Sequence, residues 1–315
     1  MAWKQNIIED FKQLVSFDSI SFHERKSADW LFARLKSMGF SVEEDQAGSH
    51  YGGDTGNIFA VLDGELDGDP VIFCAHMDVV EPGSGKKSVL EKDGTIHSAG
   101  DTVLGADDIS GILEILYGVQ LVLDSGKPHK KIEILFTIGE ELYVKGSDVF
   151  DYSKVTAKQA YVLDLSEETT FNIGTIQGGT ATNIVPDCCV LTGEIRSYDH
   201  GKALETVRMT ERIFTEEAQK INATAEVTSQ IHLIAYETSL ESKSVTDFQK
   251  ACEILGFSGE LTGTFGGSDN NSFAKNGIEG LVLSNGMYNA HSTREYTTVD
   301  DLYKGAELIG QLILL

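Results

Sequence analysis

Apolar positions recur along this chain with two different periods, and the switches between them mark out its elements. Trp3, Ile7, Phe11 and Leu14 stand at helical spacing, so the chain opens on an amphipathic helix. Ala28, Leu31, Phe32, Leu35 and Met38 repeat the pattern, with Gly39 as the stop. Residues 40–42 and 57–62 read as strands. Val71-Ile-Phe-Cys-Ala-His76-Met-Asp78 is a nearly unbroken apolar run, as expected of a parallel strand covered on both faces. Val89 to Ile96 reads as a hairpin about Asp93-Gly94. From Ile109 the spacing of Ile112, Leu113, Leu116 and Val119 is helical again. Lys131 to Gly139 and Ala160 to Leu165 are two more strands of the buried type.

The character then changes. Phe171 to Gln177, Asp187 to Arg196 and Ala223 to Ala235 alternate apolar with polar residues, as half-buried strands do. A helix from about His200 to Ile221 lies between the last two, with Leu204, Val207, Ile213, Phe214 and Ala218 on its apolar side. Strand–helix alternation resumes with a helix over 244–255, a loop over 264–271, a strand from Gly280 to Ser284 and a final helix from about Asp300. The expected fold is α/β: a mixed, mostly parallel sheet flanked by helices, formed by residues 1–170 and 236–315. A small α+β domain is expected as an insert over 171–235.

Lys and Arg total 25 against 49 Asp and Glu, a formal charge of −24 in 315 residues. Nucleic acid and anionic membrane both require basic surface and are not expected partners. The first residues carry charge and no apolar leader segment, and no apolar run is long enough to span a bilayer. Cys74, Cys188, Cys189 and Cys252 form no CxxC pair and are expected as reduced thiols of a cytoplasmic protein.

The chemistry gathers where the apolar runs stop. One strand ends at His76 and Asp78, which share a side because residues i and i+2 of a strand do. A second ends at Glu140-Glu141 and a third at Asp164, while Asp107-Asp108 open a helix. Ligands bind at the carboxyl edge of parallel strands in open α/β sheets. Taken singly, each residue has a plain role: Asp107 and Asp108, for example, are natural helix N-caps. Together with His291 they make a mixed nitrogen and oxygen donor set, His76, Asp107, Glu141, Asp164 and His291. That set suits Zn²⁺, with Mn²⁺ or Co²⁺ as substitutes, and is too large for one catalytic ion. Two ions bridged by a carboxylate would stand roughly 3.5–4 Å apart and polarise a shared water. Asp78 would orient His76. Glu140 and Glu141 would divide the work of metal ligand and general base.

These segments resemble the M20 family of co-catalytic dizinc peptidases, and within it the peptidase T-like (tripeptidase-like) members. The matching pieces are Cys74-Ala-His-Met-Asp78, Leu104-Gly-Ala-Asp-Asp108, Ile138-Gly-Glu-Glu141, Val162-Leu-Asp164, Gly178 to Pro186, Arg196-Ser197, Gly266-Gly-Ser-Asp269 and Asn289-Ala-His291. They run in the family's order over nearly the whole chain. The resemblance implies that His76 and Asp164 bind one ion, Glu141 and His291 the other, and that Asp107 bridges them. It implies Asp78 as the support of His76 and Glu140 as the base. In the family a small lid domain holds the substrate's terminal carboxylate; Arg196 matches that site, with Asn183 and the Gly266-Gly267 loop as further candidates, and a strand-surface ion pair is the other role open to Arg196.

Two departures stand out. Ile109 follows the Asp pair where the family often has Lys. Gly178 stands only fourteen positions after Asp164, and no histidine occurs between His129 and His200. Family members carry in this interval a further strand and helix of the lid, with a histidine that stabilises the oxyanion in a dimer partner. The lid is therefore expected to be truncated. That weakens the expectation of a homodimer paired through it and opens a second function, a metal- and peptide-binding protein with little turnover. A deacylase acting on N-acyl amino acids is the third reading, because the donor set specifies hydrolysis and leaves the substrate open.

Overall fold

The computed structural model describes residues 2–164, 171–264 and 266–315. Two compact units divide the chain, one of Met1–Ser166, Thr238–Thr262 and Gly267–Leu315, the other of Glu167–Glu237 with Gly263–Gly266. The sequence boundary expected at 170/171 falls beside residues 165–170, outside the described residues.

The larger unit begins with α1 (Ala2–Val15), α2 (Arg25–Ser37), β1 (Ser41–Glu44), β2 (Ile58–Leu62) and β3 (Val71–His76). A short β4 (Ser88–Leu90) and β5 (Thr95–Ser98) follow, then the long α3 (Ala106–Ser125), β6 (Ile132–Thr137), one turn of helix α4 (Lys145–Asp148) and β7 (Gln159–Leu163). The smaller unit contributes β8 (Phe171–Gly178), β9 (Cys189–Ile195) and α5 (His200–Lys220). The larger unit resumes with α6 (Lys243–Leu255), α7 (Asn270–Lys275), β10 (Glu279–Leu283), β11 (Tyr296–Thr298) and α8 (Val299–Ile313).

Six strands form the central sheet in the order β1-β2-β6-β3-β7-β10. The β6, β3, β7 and β10 neighbours pair in parallel, while β1 and β2 run antiparallel at one edge. This is the mixed, mostly parallel α/β sheet expected from the sequence. Alternation along β3 distributes the core. Phe73 and Ala75 join the larger cluster with Ile7, Phe11, Leu31, Leu35, Leu113 and Ile309. Ile72 and Cys74 point the other way, toward Phe150 and Phe273. Both faces are covered, which is why the run lacks a polar residue until His76.

Helices α3 and α8 cross closely because glycines line the contact. A Cβ on Gly118 would lie 2.6 Å from Cβ of Ile309, and one on Gly305 would lie 2.0 Å from the Glu114 carboxyl carbon. Among the described residues no helix is long and apolar enough to cross a membrane. All four cysteines are free thiols, with Cys74 and Cys252 buried and Cys188 and Cys189 exposed.

Three sequence expectations need correction. Residues 223–235 alternate in polarity but form no strand. Alternation reports which side chains seek an apolar face and does not by itself make a strand; among the described residues the smaller unit's sheet is the β8–β9 pair. The loop expected over 264–271 gives way at Asn270 to α7, whose Phe273 is fully buried. Residues 296–298, left without an element, form β11 against β5.

Candidate metal centre

Three adjacent parallel strands stop at one sheet edge. β3 ends on His76, β6 runs into Ile138-Gly-Glu-Glu141, and β7 is followed at once by Asp164. The start of α3 supplies Asp107, and the segment between β10 and β11 supplies His291. Near the start of α3 the main chain departs from helical angles at Asp107 (φ −81°, ψ 99°) and Asp108 (φ −123°, ψ 33°). The Asp107 carboxylate lies between the two histidines. Its Oδ1 is 3.0 Å from Nε2 of His76 and its Oδ2 is 3.2 Å from Nε2 of His291. His291 Nε2 is also 3.0 Å from Oε2 of Glu141. Donor atoms of His76, Asp107 and Glu141 lie within 4.8 Å of one another, and so do those of His76, Glu140 and Asp164. All six side chains expected at the metal and base positions thus converge within the larger unit.

Asp78 does more than the sequence indicated. His76 Nδ1 is 3.0 Å from the Asp78 carbonyl and 3.5 Å from its Oδ1, so the other ring nitrogen faces the cluster. The Asp78 carboxylate also accepts the backbone N–H groups of Glu140 (2.9 Å) and Glu141 (3.2 Å) and the Ser21 hydroxyl (2.7 Å). Asp108 takes the plain role. It accepts from the N–H of His76 at 3.1 Å, from that of Gly111 at 3.2 Å as a helix cap, and from Asn285 Nδ2 at 2.5 Å.

Several supports escaped the sequence reading. Glu295, four residues past His291, is buried and accepts the backbone N–H groups of Leu104, Gly105 and Asp107 at 2.8, 2.8 and 2.9 Å. Buried Asp269 takes hydrogen bonds from the Thr137 hydroxyl and, at 3.5 Å, from the Cys74 thiol below the site. For Glu295 the available signal was an acid four residues past His291, which periodicity does not distinguish from a surface acid, while Asp269 stood in the matched piece Gly266-Gly-Ser-Asp269 with no role given to it.

The carboxylates are crowded beyond what the histidines neutralise. Burial, then the charge of Asp107, pushes the Asp164 carboxyl well above its usual range. Burial, then Asp164, does the same to Glu140. Burial would raise Asp107 too, but hydrogen bonds from His291 and His76 outweigh it and hold that carboxyl low. Those to Asp107 and Glu141 raise the His291 imidazole to about 10. Oε1 of Glu141 and Oδ2 of Asp164 are buried with no hydrogen-bond partner. Converging acids with orphaned oxygens fit divalent cations, which compensate the charge and fill the vacant acceptor positions.

The residues assigned to substrate lie apart in the chain. Asn183, Arg196 and Gly266 belong to the smaller unit and Gly267 to the larger. The Arg196 guanidinium pairs with Glu194 of β9.

Known proteins share the sequence pattern and the fold. The family model for peptidase family M20/M25/M40 matches residues 72–315. Uncharacterized protein YqjE of Bacillus subtilis is 28% identical, with 99% of each chain covered. That alignment runs over 367 positions against 315 residues here, so at least 52 positions of it have no counterpart in this chain. The crystal structure of aminopeptidase PepT from Bacillus cereus superposes with a TM-score of 0.87 at 28% identity, covering 98% of each chain. A tripeptidase structure from Staphylococcus aureus gives 0.92 at 25% identity, covering 98% of this chain and 97% of that one. With the strand-end acids and histidines in that fold, and the family match spanning most of its length, the chain belongs to peptidase family M20/M25/M40 and is a peptidase T-like hydrolase.

Proposed function

We propose that this chain is an exopeptidase that cleaves di- and tripeptides at a centre of two divalent cations. The observation that carries the reading is the Asp107 carboxylate, whose two oxygens face different histidines. His76 and Asp164 would hold one ion, Glu141 and His291 the other, and Asp107 both. The mixed donor set suits Zn²⁺, with Mn²⁺ or Co²⁺ as substitutes. Bound there, such ions supply Lewis acidity to the scissile carbonyl and ease deprotonation of water at neutral pH. Glu140, beside His76 and Asp164, takes the proton of the attacking water and returns it to the leaving amine. Asp78 keeps Nδ1 of His76 protonated, so that Nε2 presents its lone pair. Asn183, Arg196, Gly266 and Gly267 are the proposed grip on the substrate's terminal carboxylate, Arg196 exchanging Glu194 for it bidentately.

One observation favours slow turnover. The chain is at least 52 positions shorter than its alignment with YqjE, and its own interval from Asp164 to Gly178 holds no histidine. A missing oxyanion donor costs a factor of about 10²–10³ in kcat. Peptide binding with little hydrolysis is therefore the second reading. Protein loaded with Zn²⁺ or Co²⁺ and given di- and tripeptides decides between them, with Glu140→Ala as control. Product formed only by the wild type supports the exopeptidase. Calorimetric binding of a tripeptide without product supports the second reading.

A further inference from the structure

Four consecutive backbone N–H groups in the loop that carries Glu140 and Glu141 donate to buried side chains instead of to a sheet or helix. Ile138 N–H goes to Oδ1 of Asn57 at 3.1 Å, and Gly139 N–H to Oε1 of Glu24 at 3.0 Å. Those of Glu140 and Glu141 go to the two oxygens of Asp78 at 2.9 and 3.2 Å. Asn57, Glu24 and Asp78 are all fully buried. Their segments are remote in sequence: the α1–α2 connection, the start of β2 and the end of β3.

The same acceptors close the loop on itself. Asn57 Nδ2 donates to the Gly146 carbonyl at 2.9 Å, and Gly146 N–H returns to the Ile138 carbonyl at 2.9 Å. Asn57 Nδ2 is held in turn by Asp45 at 2.7 Å. Gly139 has φ +57°, and a Cβ there would lie 2.5 Å from the Phe22 ring. The loop is thus gripped at every main-chain donor from 138 to 141, with a ring pressed against its tightest turn. Glu24 Oε1 also accepts from Phe22 N–H at 2.8 Å, which ties that ring to the same carboxyl.

We infer that Glu24 and Asn57 are positioning residues for the reaction: they hold the backbone of the loop so that Glu140 and Glu141 point into the centre. The inference rests on the reading of Glu140 as base. Neither residue reaches the substrate; each acts through the main chain of the loop. A free loop would let both carboxylates wander, and a misplacement near 1 Å costs about 10²-fold in rate. Only Oε1 of Glu24 makes these bonds, while Oε2 has no partner. An amide oxygen can therefore replace it, and a methyl cannot.

The test compares the full-length wild type, Glu24→Ala, Glu24→Gln and Leu35→Ala, the last a core truncation that destabilises without touching the loop. Hydrogen exchange of the metal-free protein is followed over 138–141 and, for reference, over α3. Hydrolysis of a tripeptide by the Co²⁺-loaded protein is read as separate kcat and KM, with metal content measured alongside. In Glu24→Ala, exchange at 138–141 should rise by about 5- to 10-fold, the equilibrium factor of one lost hydrogen bond, with α3 unchanged. Assayed at saturating Co²⁺, its kcat should fall about 10- to 100-fold at unchanged KM, and Glu24→Gln should restore both exchange and kcat. Leu35→Ala should move neither selectively. Should Glu24→Ala not fold, Asn57→Ala carries the same readouts at Ile138. The inference is overturned if exchange at 138–141 stays at the wild-type rate, if it rises equally everywhere, or if Glu24→Gln behaves as Glu24→Ala. It is also overturned if exchange responds in an active enzyme while kcat does not. A wild type that is inert with both ions bound instead removes the reading of Glu140, and the exchange result still decides the grip on the loop.

Discussion

Replacing Glu295 probes how the centre is built. Its carboxylate is the common acceptor for the N–H groups of Leu104, Gly105 and Asp107, and it is 1% exposed. Glu295→Ala leaves three buried donors without an acceptor, each costing about 1–3 kcal/mol. Part is returned, because burial already pushes the Glu295 carboxyl up to about 7 and ionising it inside the protein is costly. The net expectation is a loss of about 2–4 kcal/mol, or a fall in Tm of about 4–8 °C at roughly 2 °C per kcal/mol for a chain of this size. Asp107 loses the bond that fixes its backbone, so cation affinity should fall about 10- to 100-fold. Glu295→Gln separates the two effects. One amide oxygen can serve Leu104 and Gly105 or can serve Asp107, but not both. The glutamine variant should therefore keep more stability than the alanine variant and still lose cation affinity. Scanning calorimetry of the metal-free proteins and titration with Zn²⁺ measure both quantities. An alanine variant that melts within 1–2 °C of wild type, as an estimate of assay scatter, and binds Zn²⁺ as tightly refutes the reasoning.

Two further perturbations address the fold. Lys86 is buried, donates to the carbonyls of Phe17 and Gly83, and is lowered by burial to about 8, against the pull of Asp18, Glu295 and Glu81. Below pH 8 folded and unfolded states both bind the proton. Between 8 and 10.5 the unfolded state binds more, so stability relative to Lys86→Met should rise with pH by up to about 3 kcal/mol; a flat difference across that window in denaturant titrations would count against it. Gly118→Ala drives a methyl into Ile309 where α3 crosses α8, and should cost about 1–3 kcal/mol by overpacking. An unchanged denaturation midpoint would show that this crossing has slack.

The sheet and the candidate ligands were legible for the same reason. Buried parallel strands are uniformly apolar, so His76, Glu140-Glu141 and Asp164 stand out as the places where the pattern breaks. That break is also the sheet edge where α/β folds bind ligands. The supporting residues gave no such sign. Glu24, Asn57 and Glu295 act on backbone N–H groups far away in sequence, and an acceptor for a remote main chain has no period and no required neighbour. Ser21 is legible only once Asp78 is known to be its partner. The strand expected over 223–235 is not assigned among the described residues, because alternation of polarity is a local signal and does not by itself specify a strand.

The account stands on Glu140 acting as base at a centre of two cations. The most direct measurement is tripeptide hydrolysis by wild type and Glu140→Ala, each first shown to carry two bound ions per chain. The account predicts product from the wild type and kcat/KM lower by about 10²–10⁴ in the variant, the contribution of a general base. Equal rates in the two proteins, or a wild type as inert as the variant, contradict it.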